Sequence, residues 1–296
     1  MTVPDINSLR SAFNGQVFEP ADVGYNEACQ IWNASVSKRP KLIARCSGIA
    51  DVIAAVTFAR ANNLLTAIRG GGHNVGGRAI CDDGLVIDLS RMRSVFVDAV
   101  TRKVRVEGGA TLGDIDRETH VFGLAVPCGI VPKTGIGGLT LGGGVGWLIR
   151  KYGMSIDNLL SAQVVTADGK VLTASASQNE DLFWALRGGG GNFGVVTSFE
   201  FQAHPLSTVL GGLLLRYARP DLPDDPAEQG VAPGAHDSPC SRFRIPYAMR
   251  DCSDQSSMKP GEACCEKSPP DSPKPARSGS YSELGDERAT ARTLPL

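Results

Sequence analysis

The chain has 296 residues and a formal net charge of -1, with 42% hydrophobic and 21% charged residues. That length supports one large domain or two ordinary ones with a sizeable core, and the balanced charge, without a Lys/Arg cluster, excludes the usual basic nucleic-acid binder. No apolar run approaches the roughly 18 residues of a membrane span, and Asp5, Asn7 and Arg10 break Met1–Ser11 as a signal peptide, so a cytoplasmic protein with no membrane partner is expected.

The eight cysteines are scattered. Their spread predicts reduced, small apolar side chains, and Cys240, Cys252, Cys264 and Cys265 lack the spacing of a zinc site, so no metal is expected.

Residues 1–36 read as a leader in which Ile31-Trp32 packs but nothing carries chemistry. Lys41–Cys46 reads as a strand. Ile49, Val52, Ile53 and Val56 then recur at helical spacing after Ser47-Gly48, with Asn62-Asn63 as the stop. Leu64–Ile68 is a second strand and Gly84–Leu89 a third. Strand, helix, strand with short connections predicts a parallel unit whose ligand face lies where the strands end. The loop Gly70–Gly77 falls on that face. Three glycines before His73 can wrap backbone N–H groups around an anion, although a flexible surface loop fits these residues equally well.

Alternating valines at Val95, Val97, Val104 and Val106 predict a hairpin, Leu112–Thr119 a helix and Gly123–Val126 a strand. Gly135–Gly146 holds seven glycines in twelve residues, which argues against a helix and for close backbone approach to a flat ligand or tight packing. Val164–Leu172 reads as a hairpin with Asp168-Gly169 in a type I′ turn. Glu180–Arg187 reads as a helix ending at the third run, Gly188–Gly191, and Val195–Phe201 as a strand. One extended ligand touching all three glycine loops would account for the pattern.

The composition then changes. Six of the 18 prolines precede Pro220 and twelve lie from Pro220 onward. With few large apolar residues to offset the ordering entropy, residues 220–296 are expected to be mostly disordered.

Four motifs in order, Arg69-Gly-Gly-Gly-His73-Asn74, Gly135–Trp147, Arg150–Asn158 and Asp181–Val196, resemble the covalent FAD-linked oxidases of the vanillyl-alcohol-oxidase, or PCMH-type, fold. The resemblance is to the berberine-bridge-enzyme-like and hydroxynicotine-oxidase-like branch and runs from about Ser37 to Leu215. It implies an α+β fold, with a small parallel α/β subdomain beside an antiparallel sheet with helices. It implies boundaries at 1–36 (leader), 37–206 (FAD-binding domain), 207–219 (stub of a substrate domain) and 220–296 (tail).

By the same resemblance, FAD would be bonded covalently to His73, with the backbone of Gly70, Gly71, Gly72 and Asn74 at the diphosphate and Arg69 among the cofactor-binding residues. Gly138, Thr140, Gly143 and Gly144 would run along pyrophosphate and flavin, and Val196 would meet the adenine end. Some relatives carry a second, cysteine link; the matching position here is Val131, and Cys128 lies nearby, so a single attachment is expected. A neutral imidazole is a competent nucleophile for that bond. His120 and His204 carry no motif and are expected in solvated or helix-end positions. The resemblance further implies hydride transfer from a small-molecule substrate and reoxidation by O2, with no catalytic base assignable and the oligomeric state open. The absence of substrate-domain sequence beyond Arg219 predicts a truncated or frame-shifted chain, either an oxidase, an inactive flavin-binding remnant, or a dehydrogenase using another acceptor.

Overall fold

The computed structural model describes residues 6–206 and the backbone of 208–211, 250–251 and 292–295. Residues up to Ser207 form one unit and Thr208–Pro295 a second. The first unit opens with α1 (Ile6–Ser11), β1 (Gln16–Phe18) and α2 (Tyr25–Ala28), followed by β2 (Leu42–Arg45), α3 (Ile49–Ala61), β3 (Thr66–Arg69) and β4 (Leu85–Asp88). These strands make a four-stranded sheet in the order β1-β2-β4-β3, with β4 parallel to both neighbours and β1 antiparallel on the edge. The expected parallel unit is present, and the region read as a leader contributes its edge strand.

Strands covered on both faces lose the apolar-polar alternation and become apolar throughout. Leu42, Ala44, Leu85 and Ile87 point to a core with Val52, Ala55 and Val56 of α3. Ile43, Val86 and Ala67 point the other way, to Tyr25, Ala28 and Ile80. Helix α3 is anchored at its start by Asp51, whose carboxylate accepts from the Ser47 N–H and hydroxyl at 2.8 and 2.7 Å and from the Asn14 N–H at 2.8 Å.

The chain continues through β5 (Val95–Asp98), β6 (Lys103–Glu107), α4 (Leu112–His120), β7 (Leu124–Ala125), α5 (Ile136–Leu141), α6 (Ile149–Tyr152), β8 (Leu159–Val165), β9 (Val171–Ser175), α7 (Glu180–Gly189), β10 (Val195–Gln202) and β11 (His204–Pro205). The second sheet is antiparallel, in the order β5-β6-β10-β8-β9. Its central strand carries Phe199 and Phe201, almost wholly buried, into a core shared with Leu112, Ile115, Ile136 and Leu186. The two-stranded pair β7-β11 is separate.

Two local expectations are corrected. Ile136–Leu141 is a short helix despite its glycines, because burying Ile136 and Leu141 in the core outweighs weak helix propensity. The Asp168-Gly169 turn is not type I′, since only Gly169 has positive φ, +81°. The Gly169 N–H donates to Thr166 O at 2.8 Å and the Thr166 N–H to Lys170 O at 2.9 Å, a type I turn followed by a left-handed glycine.

The carboxylate of Asp116 on α4 makes no hydrogen bond or ion pair among the described residues, and burial pushes its pKa up from 3.8 to about 6. The folded state then favours the protonated acid, so this residue destabilises the fold as pH rises through about 6. Asp116→Asn is expected to raise the melting temperature at pH 7 by about 2–4 °C, roughly 1 kcal/mol after discounting for partial exposure, with little change near pH 4. Thermal melts at both pH values check this; an equal shift at both would count against the charge as cause.

In the second unit, β12 (Thr208–Gly211), β13 (Arg250–Asp251) and β14 (Arg292–Pro295) pair antiparallel in the order β13-β12-β14. The expectation of a disordered tail over 220–296 otherwise lies outside the described residues.

Candidate functional site

The parallel strands end on a buried ion network. Register places Arg45 and Arg69 on either side of Asp88. The Asp88 carboxylate is fully buried and accepts from Arg45 Nε at 2.9 Å and Arg69 Nη2 at 2.6 Å. Burial alone would raise its pKa, but the two guanidiniums and the Ser90 N–H hold it below the ordinary carboxylate value. Arg69 also donates to the carbonyls of Ala28 and Gln30. Its described bonds are therefore spent on the protein, and it fixes the strand end from which the glycine loop departs.

Past Arg69 the loop enters a cleft of about 380 Å³ lined by Gly70, Gly71, Gly72 and His73. Ser90, Gly109 and Thr111 form another wall, and Arg93 and Lys133 supply positive charge. Arg93 is held by Asp114 through Nε at 3.0 Å and Nη2 at 2.7 Å. Lys133 has no ion pair among the described residues. Trp32 lies over the His73 imidazole, ring centroids 5.7 Å apart, so the region read as a leader also lines this cleft.

The second glycine run meets the first directly. A Cβ on Gly71 would fall on the backbone of Gly135, 2.6 Å from its Cα, and a Cβ on Gly135 would fall on Gly71 in return. Gly144, at φ +82°, is pressed against Ser155, and the Ser155 N–H donates to its carbonyl at 3.0 Å. Gly143 also has positive φ, +113°. Packing thus explains much of this loop. Gly138 differs: nothing lies within 4 Å of where its Cβ would stand. Two residues on, the fully buried Thr140 hydroxyl has no hydrogen-bond partner among the described residues.

Val196 is buried in β10 and offers only backbone; a Cβ on Gly108 would strike its carbonyl. A Cβ on Gly70 would lie 3.2 Å from Gly108 O, so the Gly108-Gly109 turn joins the first loop to β10. Sequence reasoning missed that turn; its signal is the glycine pair after Glu107. Asn74 is exposed, and its Oδ1 accepts the Arg78 N–H at 3.0 Å to close a turn.

The third run does not line this cleft. Gly191 and Gly194 border another, of about 300 Å³, with Val56, Ala59 and Ile68, while α7 packs against α5. His204 is only partly exposed: it stacks on Tyr152 at 4.0 Å and its Nε2 meets Asn158 Oδ1 at 2.6 Å. Cys128 is buried in the core of the antiparallel sheet, and burial together with Asp116 pushes its thiol up, which keeps it protonated. Val131 is 45% exposed.

Glycine backbone and two cations around one cleft form a donor set for an anionic ligand, and they fit the diphosphate of FAD. The fold and this cleft define a flavin-binding class, and residues 40–175 match the FAD binding domain family.

The chain is 44% identical over 195 residues to (R)-6-hydroxynicotine oxidase of Paenarthrobacter nicotinovorans, covering 66% of this chain and 43% of that protein. An FAD-linked oxidoreductase of Dictyostelium discoideum is 40% identical over 208 residues, 70% of this chain and 46% of the relative. Among solved structures, 6-hydroxy-D-nicotine oxidase of Arthrobacter nicotinovorans superposes with a TM-score of 0.67 at 44% identity, over 68% of this chain and 45% of that one. The xylooligosaccharide oxidase of Myceliophthora thermophila, solved with xylobiose, gives 0.64 at 31% identity over 71% and 46%. Residues 40–175 carry an FAD binding domain, the fold is of the PCMH type, and the chain spans less than half the length of these relatives. No helix among the described residues is long and apolar enough to cross a membrane.

Proposed function

We propose that the chain is the FAD-binding part of an oxidase that holds FAD by a covalent bond to His73, oxidises a small organic molecule and passes the electrons to O2. The observation that carries this reading is the placement of His73 at the same cleft as the backbone of Gly70–Gly72 and the cations Arg93 and Lys133. In it, Gly70, Gly71, Gly72 and Asn74 offer backbone N–H groups to the diphosphate, and Thr140 donates its unpartnered hydroxyl toward the cofactor. Gly138, Gly143 and Gly144 shape the second wall, and the backbone at Val196 and Gly108 borders the adenine end. Arg69 acts indirectly, by fixing the loop through Asp88. Bound FAD would supply hydride acceptance and O2 reduction; the protein supplies orientation and exclusion of water. The boundaries in this reading are 37–206 for the FAD-binding domain, followed by a substrate-domain stub to 219.

Yellow colour that survives acid precipitation is the expected result for the wild-type chain, and its loss in His73→Ala, with total flavin falling severalfold or more. Acid-stable flavin in His73→Ala would sink the assignment. Peroxide release is expected on a panel of hydroxylated N-heterocyclic amines and oligosaccharides, the chemistries named in the relatives; silence across the panel with tethered flavin present would favour a cofactor-binding remnant.

A further inference from the structure

We propose that His204 is a positioning residue for the second glycine loop: through Asn158 it seats Gly143 and Gly144, and protonation of its ring loosens that seat. What the loop holds rests on the FAD reading above; the contact itself does not.

The contact is built from a fully committed amide. Asn158 ends the short 3-10 helix Ser155–Asn158 and is 6% exposed. Its Nδ2 donates to Tyr152 O at 2.9 Å and to Met154 O at 2.8 Å. Those two acceptors fix which end of the amide is nitrogen, so the atom that meets His204 Nε2 at 2.6 Å is the carbonyl oxygen. A carbonyl cannot donate, and the hydrogen of this bond is therefore on Nε2. Nδ1 keeps the lone pair and is the atom that takes up a proton. Tyr152 completes the clamp, its ring stacked on the imidazole with planes 12° apart and its hydroxyl donating to Pro205 O at 3.4 Å.

The carbonyls that Asn158 holds flank Gly153, and the residues that follow meet the loop. The Ser155 N–H donates to Gly144 O and the Ile156 N–H to Gly143 O, both at 3.0 Å. A Cβ on Gly144 would overlap Ser155, so the loop takes its course from this seat. His204 is itself fixed from outside the loop, by the pairing of β11 with β7 at Ala125. One imidazole thus ties the support of the loop to a separate strand pair.

The surroundings oppose a charged ring. Strand β7 brings Leu124 and Ala125, and the 3-10 helix brings Asn158, while its Asp157 is spent on the Met154 N–H at 2.8 Å. Tyr152 presents its neutral ring. The charged neighbours are cations, Arg102 from the turn between β5 and β6 and Lys151 from α6. Burial first, and then these two cations, hold the imidazole below its ordinary 6.5. The docked ring releases its proton more readily than a free one, so the contact is complete above 6.5 and is lost as pH falls below that toward the folded value.

The test uses the full-length chain as wild type, His204→Gln and His204→Leu at pH 7.5 and near pH 5. Glutamine offers an N–H in place of Nε2 and does not titrate; leucine offers no donor. Amide exchange of Ser155 and Ile156, read by NMR and corrected for the intrinsic pH dependence of exchange, reports the seat. Wild-type protection is expected to fall severalfold between the two pH values, the glutamine variant to hold at both, and the leucine variant to be low at both. FAD uptake by the flavin-free chain is expected to follow the same order. Equal wild-type protection at both pH values, or a glutamine variant that loses protection in acid as wild type does, would overturn the inference. Uptake that ignores the variants while exchange follows them would overturn the link to the cofactor. If the leucine variant does not fold, wild type against glutamine still decides. A wild type that takes up no FAD overturns the FAD reading, and exchange alone then decides whether His204 seats the loop.

Discussion

Asp88→Ala is expected to cost about 3–5 kcal/mol and to leave much of the chain unfolded or aggregated at room temperature. Asp88 is fully buried between Arg45 and Arg69, and Arg69 is itself only 7% exposed. Removing the carboxylate leaves two guanidiniums facing one another without an anion, and neither can swing freely to water. The pH dependence has a definite sign. A carboxylate held below its ordinary pKa of 3.8 stabilises the fold above that value. The contribution is lost as pH falls through the lower, folded value. Urea melts of wild type and variant at pH 7 and near pH 3 check both points. A wild-type midpoint unchanged at pH 3, or a variant within about 1 kcal/mol of wild type at pH 7, would show that the network contributes little.

Gly71→Ala is the second large effect. The new Cβ would overlap the backbone of Gly135, with no flexible side chain to yield. Overpacking against fixed backbone costs typically 1–3 kcal/mol and sometimes more. The two glycine loops can relieve the clash only by separating, which opens the cleft beside His73. We expect a destabilised chain that also loses FAD. Gly138→Ala is the control: its Cβ meets open space and the residue is helical, so the apoprotein should gain up to about 1 kcal/mol. Weakened FAD retention in that variant would mark the open space as cofactor volume. Thermal melts and flavin retention after gel filtration separate the two cases, and a Gly71→Ala protein that melts like wild type would refute the contact.

Much of this was legible from the chain. Apolar runs at Leu42–Arg45 and Leu85–Asp88, one helical pattern between them and valine alternation at residues 95–106 carry the two sheets, because burial sets those periods directly. His73 stood out because glycine surrounds it. Other features depend on distances along the chain that no local pattern encodes. Asp88 reads as the polar end of an apolar strand until the register sets it between two arginines. Trp32 is a lone aromatic until the loop carrying His73 folds under it. Gly135–Leu141 reads as too glycine-rich for a helix because propensity is local, whereas burial of Ile136 and Leu141 is not. The third glycine run resembles the other two in composition, yet the turn of the chain after α7 aims it at a different cleft.

The place of β10 in its sheet bears on the order in which a growing chain can fold. All four strands of the first sheet lie before Ser90 and can pair as soon as they leave the ribosome. The second sheet cannot. Its central strand, between β6 and β8, is the last long strand of the unit to be made, and until it arrives the sheet exists as two unjoined hairpins. Non-local pairings of this kind form slowly. The Gly108 N–H bonds to Thr197 O on that strand at 2.8 Å, so the wall of the cleft at Gly109 and Thr111 is set only after synthesis has passed Gln202. Cofactor capture therefore waits on β10, and a chain stalled before it would hold His73 on a folded sheet with an incomplete cleft around it.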